Sequence, residues 1–155
     1  MSNRRWMMLL AGCALTANVW AAGPTMKVGK ISGHAGSSVD LAVKLDIGAA
    51  SVSGIQFNLT MPPEASIASV KVGDSPLAAG KNVTSSQHGN VWTFILYGLN
   101  QNTDHSGTLL VASVKIAASA KKGTYKLAVS NVVYSDPNGK VIPAGSTKDG
   151  GLTVN

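Results

Sequence analysis

Ser38–Ile47 reads SVDLAVKLDI, and its alternation decides the fold class. Val39, Leu41, Val43, Leu45 and Ile47 fall on one face, and Ser38, Asp40, Ala42, Lys44 and Asp46 on the other. A period of two belongs to a strand with one face in a core and the other in water. The neighbouring stretches follow the same pattern. Met26–Ser32 (MKVGKIS) alternates and ends at Gly33, and Gly54–Met61 (GIQFNLTM) turns Ile55, Phe57, Leu59 and Met61 inward before Pro62-Pro63 stops it. Ser66–Val72 and Lys81–Ser86 are shorter candidate strands. Three more follow: the long GTLLVASVKIAAS from Gly107, GTYKLAVSNVVYS from Gly123, and the closing GGLTVN.

Turn chemistry separates these segments. GHAGSS, GDSP, SQHGN, NQNTDHSG, AKKG and DPNG are rich in Gly, Pro, Asn and Asp, which accept turn dihedrals. Asp136-Pro137-Asn138-Gly139 suits a type I turn followed by glycine. No segment shows helical periodicity with caps. LLVASVKIAASA is alanine-rich, but Val111, Val114 and Ile116 favour a strand. The expectation is an all-β, antiparallel sandwich or barrel of eight or nine short strands, with no internal repeat or linker.

The chain of 155 residues has room for one such domain behind a short targeting segment. Residues 1–22 have the anatomy of a signal peptide: Arg4 and Arg5, an apolar run from Trp6, then small Ala21 and Ala22. That run is too short for a membrane-spanning helix, which needs about 20 apolar residues. Leu10-Ala11-Gly12-Cys13 also has the order of a lipoprotein signal. Lipidation at Cys13 would leave an apolar run of only Trp6–Gly12 and an apolar tether after it. Cleavage near Ala21 or Ala22 is therefore the reading, with a lipid anchor at Cys13 as the alternative. The domain is then 23–155, secreted or periplasmic and free of cysteine. Of 13 basic residues, Arg4 and Arg5 leave with the signal, so 11 lysines face 7 acids, a net of about +4. The lysines are scattered singly except for Lys121-Lys122, which argues for a solvated surface and against nucleic-acid binding.

Catalytic and metal-binding patterns are missing. His34, His88 and His105 sit in expected turns, and Asp104-His105 is the only local acid–histidine neighbour. Adjacent turn residues usually point apart, so neither a metal site nor an acid–base pair is expected. Asp40, Asp46, Glu64, Asp74, Asp104, Asp136 and Asp149 are dispersed, without the pairing of a glycosidase. There is no Gly-x-Ser-x-Gly elbow and no phosphate-cradling glycine loop. Asn58-Leu59-Thr60 and Asn82-Val83-Thr84 are formal glycosylation sequons, and both read as coincidence. The expectation is a non-enzyme with no cofactor.

Val91–Gly98 (VWTFILYG) is apolar on both faces. If Trp92, Phe94 and Leu96 fill the core, Val91, Thr93, Ile95 and Tyr97 form an apolar stripe where water is expected. That stripe either lies under another segment or is a protein-binding face anchored by Tyr97.

The order of these motifs resembles a bacterial cohesin domain. VGKISGHAGSSVDLAVKL followed by SGIQFNLTMPPEASIASVKVG is similar to the family's opening strands. SGTLLVASVKIAASAKKGTYKLAVSNVVYSDPNGKVIP is similar to its C-terminal half, and GGLTV to its last strand. The likeness runs from about Met26 to Val154. It implies a jelly-roll sandwich of about nine strands, shared with some carbohydrate-binding modules. It also implies a non-catalytic receptor for dockerins, docked on outward residues of the third, fifth, sixth and eighth strands. Matched by position, that face includes Gly54, Gln56, Asn58, Thr93, Ile95 and Tyr97. Gly54 and Gln56 stand where cellulosomal cohesins often carry Asn and Asp, and Gly98 where an acid is common. Those contacts set dockerin specificity, so the partner expected is dockerin-like or another protein. Two alternatives remain. A carbohydrate-binding module would bind polysaccharide but needs an aromatic row that this sequence barely supplies. The other is a structural accessory of an extracytoplasmic assembly.

Overall fold

A computed structural model describes residues 22–155, so Cys13 and almost all of the signal-like segment lie outside the described residues. The strands are β1 (Thr25–Val28), β2 (Lys30–Gly33), β3 (Ser38–Asp46), β4 (Gly54–Thr60) and β5 (Ala65–Val72). A short helix, α1 (Asp74–Ala78), precedes β6 (Asn82–His88), β7 (Val91–Tyr97), β8 (Gly107–Ile116) and β9 (Gly123–Ser135). Three short strands close the chain: β10 (Val141–Ile142), β11 (Thr147–Lys148) and β12 (Gly150–Val154).

Two sheets face each other. One has the order β11-β1-β3-β8-β5, the other β2-β12-β9-β4-β7-β6, with β10 added to the edge of β9. The alternation of Ser38–Ile47 is realised in β3, where Leu41, Val43 and Leu45 are buried and Asp40, Lys44 and Asp46 exposed. Between the sheets lies one core. Its largest fully buried side chains include Phe57, Phe94, Tyr134, Met26, Leu59 and Leu110. Each large apolar side chain withdrawn from water there contributes about 1.5–3 kcal/mol. Of the sandwich and barrel that the strand pattern left open, this is the jelly-roll sandwich that the resemblance to cohesins implies.

Several details differ from expectation. Met26–Ser32 is two strands rather than one, because the chain passes from one sheet to the other at Gly29. GDSP is not a plain turn but opens α1, with Pro76 in the first turn, where its missing N–H costs nothing. His88 ends β6 instead of sitting in a turn. The strand total among the described residues rises to twelve because β10 and β11, of two residues each, are too short to show a period.

Candidate partner-binding face

The outer face of β9-β4-β7-β6 is built from rows of residues in register. Val133, Gln56, Ile95 and Thr84 form one row, and Ser130, Asn58, Thr93 and Ser86 the next. Beneath it Phe57 and Phe94 stack with ring centroids 5.1 Å apart, and Trp92 stacks on Phe94 at 6.4 Å. Those rings hold β4 and β7 flat against the core, so Ile95 and Tyr97 must point out. They are 39% and 48% exposed.

All six residues singled out from the sequence lie on this one face. Gln56, Ile95 and Tyr97 are exposed, and Gly54, Asn58 and Thr93 are half-buried. Thr93 Oγ1 donates to Asn58 Oδ1 at 3.0 Å, which ties the two strands and spends part of both groups' hydrogen-bonding capacity. At Gly54 the missing side chain leaves a shallow depression, walled by Ile95, Tyr97, Val133 and Ser135. A Cβ there would stand 2.5 Å from Ser135 Oγ.

Sequence reasoning missed three apolar members. Among the described residues the exposed large apolar side chains are Ile95, Tyr97, Leu99, Val133 and Val141. Val133 sits beside Gln56, while Val141 pairs with Ser135, itself paired with Gly54. Leu99 follows β7 in the loop at the same end. No charged side chain interrupts the two central rows, so the face is apolar at one end and carries uncharged amides and hydroxyls toward the other.

A buried polar cluster fastens the loop that carries Leu99. Lys81 Nζ donates to Ser53 Oγ at 2.9 Å, to Asn100 O at 3.1 Å and to Asn100 Oδ1 at 3.0 Å. Gly98 makes room for that lysine, since a Cβ there would come 2.7 Å from Lys81 Cδ. Asp104 is buried with both carboxylate oxygens unpartnered. Burial pushes its carboxyl up to about 6, against the opposing pull of Lys81 and His105. His105 is exposed, so the acid–histidine neighbours do not form one site. Among the described residues no three His, Cys, Asp or Glu side chains converge in a way that could hold a metal.

A rigid sandwich with a flat, neutral, partly apolar face is the architecture of a binding module rather than of a reaction centre. The family model for the cohesin domain matches residues 24–154, and the chain belongs to that family. Cohesins are non-catalytic interaction modules, and this chain is a protein-interaction module of that kind. Among solved structures it is similar to the non-cellulosomal cohesin of the hyperthermophilic archaeon Archaeoglobus fulgidus. The TM-score is 0.74 at 16% identity, covering 86% of this chain and 92% of that one. The seventh ScaB type I cohesin of Pseudobacteroides cellulosolvens gives 0.72 at 17% identity, covering 86% and 92%. The third ScaC cohesin of Acetivibrio cellulolyticus, in complex with the ScaB dockerin, gives 0.74 at 17%, covering 84% and 98%. At these identities the likeness is one of fold. No curated protein sequence matches the chain. No helix among the described residues is long and apolar enough to cross a membrane.

Proposed function

We propose that this cohesin captures a dockerin-type protein on the outer face of β9-β4-β7-β6, with Gly54, Gln56, Asn58, Thr93, Ile95 and Tyr97 in the contact. One observation carries the reading: Ile95, Tyr97, Val133 and Val141 gather at one end of a single sheet face, with Leu99 beside them. Such a patch is where a partner's apolar side chains gain most from leaving water. Cohesins bound to dockerins among the structural neighbours, from Acetivibrio cellulolyticus and Clostridium thermocellum, support the choice of partner. The module is not an enzyme. Residues 1–22 are its export signal and 23–155 the mature domain, secreted or periplasmic, with a lipid anchor at Cys13 as the alternative.

The test uses immobilised dockerin modules and the paired substitution Ile95→Asp with Tyr97→Lys. Capture should be abolished while the thermal transition stays nearly unchanged. Retained capture would place the contact elsewhere, and failure of every dockerin to bind the native chain would remove this partner class. Stacking of a neutral polysaccharide on this face finds little support, since Tyr97 is the one aromatic among those exposed apolar residues. The native protein should accordingly stay in the supernatant over insoluble cellulose or chitin. A mass measurement on the native N-terminus separates cleavage near Ala21 or Ala22 from acylation at Cys13.

A further inference from the structure

Lysines that are scattered in the sequence meet on the opposite sheet. Lys27 on β1 pairs directly with Lys44 on β3, and on its other side with Lys148 on β11. Paired residues on neighbouring strands share a face, and the strands lie about 4.8 Å apart. Three exposed ammonium groups therefore stand in line across three strands. Among the described residues the one ion pair is Lys126 with Asp149, at 2.8 Å, so none of the three has a carboxylate in salt-bridge reach. Asp46, the nearest acid on β3, is engaged by Gly48 N at 3.0 Å and Ser106 Oγ at 3.1 Å. Like charges directly opposite in a sheet repel, so this row weakens the free protein and rewards whatever neutralises it.

The surroundings of the row narrow what that ligand is. Two shallow troughs, of about 450 and 590 Å³, flank it, and Lys27, Lys44 and Lys148 line both. One trough adds the hydroxyls of Thr25 and Ser146, with Ser106 bonded to Asp46 at its wall, and the other adds Lys30, the backbone of Gly29 and Asp149, whose carboxylate is held by Lys126. No aromatic ring lines either trough, so nucleobases find no stacking platform. Residues 22–155 contain no arginine to fork onto phosphates. Nor does a large apolar side chain stand exposed beside the row, as entry into a lipid surface would require.

We propose that this row binds a linear acidic polysaccharide. Carboxylate or sulfate groups of the glycan sit on Lys44, Lys27 and Lys148, and sugar hydroxyls reach Thr25 and Ser146. The site is separate from the partner face and does not depend on it.

The test measures binding of polygalacturonate and of heparin to the exported chain by calorimetry at about 50 mM salt, where surface charge is weakly screened. Two triple variants remove the same charge. One is Lys27→Gln, Lys44→Gln and Lys148→Gln; the other is Lys115→Gln, Lys121→Gln and Lys140→Gln. The row variant should bind at least about tenfold more weakly, while the matched variant stays close to the native affinity. Relief of repulsion should leave the row variant's thermal transition unchanged or raised, so lost binding is not lost folding. Equal weakening in both variants would reduce the effect to net charge and overturn the site. So would failure of the native chain to bind either glycan. Equal or tighter binding of duplex DNA, poly-glutamate or anionic vesicles through the same lysines would overturn the glycan assignment.

Discussion

Asp104 and Tyr134 each bury a polar group that has no partner. For Asp104, burial raises the folded-state value to about 6, above the ordinary 3.8, so the folded protein holds this proton more tightly than the unfolded chain. The associated stability is fully present below about pH 4 and is lost as pH rises through 6, roughly 3 kcal/mol in all. Asp104→Asn should remove that fall. Urea unfolding at pH 4.5 and 7.5 should show the native protein weaker at the higher pH and the variant nearly level; equal falls in both would assign the titration to another group. The Tyr134 ring is fully buried, and desolvation pushes its hydroxyl up to about 12. Tyr134→Phe discards an unsatisfied hydroxyl and keeps the ring, so it should raise stability by about 1 kcal/mol in the same assay. A loss instead would mean that the hydroxyl has a partner. The adjacency of Asp104 and His105 was legible in the chain. The closeness of Asp104 to Lys81, which is remote in sequence, was not.

At the scale of the element, β9 shows where alternation stops being enough. Counting by twos from Leu127 and Val129 would turn Asn131, Val133 and Ser135 inward with them. Instead the pairing with β4 slips between Gln56 and Asn58, and Asn131 takes a left-handed φ of 49°. That bulge inserts one residue and reverses the faces beyond it. Tyr134 then enters the core, and Val133 joins Ile95 outside. Asparagine tolerates the left-handed region; a β-branched side chain does not. Asn131→Val should therefore cost about 1–2 kcal/mol in a urea titration, and Asn131→Gly should cost far less. If valine were tolerated equally, the bulge would not depend on this residue. By contrast β3, β4 and β7 could be read from sequence almost residue by residue. The slips in their ladders, between Val43 and Lys44 of β3 and opposite Asn131 for β4, leave their own alternation intact, and each keeps an apolar inward row.

The whole molecule presents two chemically different faces on opposite sheets: one neutral and apolar at its end, the other crossed by three lysines. With a packed core between them and no shared residue, the two sites should act independently. Substituting Ile95 and Tyr97 should leave glycan affinity within about twofold, and the Lys27, Lys44 and Lys148 variant should capture its protein partner as the native chain does. Coupling well beyond that in a crossed binding experiment would show that the faces are linked. The resemblance to cohesins implied the sandwich; the all-β class, the inward set of most strands and the stripe of Ile95 and Tyr97 were legible in the chain itself. Those follow from local periodicity and turn chemistry, which neighbouring residues carry among themselves. Folding was needed to show that Val133 and Val141 extend the stripe, that Lys81 holds the loop beside it, and that Lys27, Lys44 and Lys148 share one row. Each depends on strand order and register, where residues as far apart in the chain as Lys27 and Lys148 become neighbours through backbone pairing that no local pattern specifies.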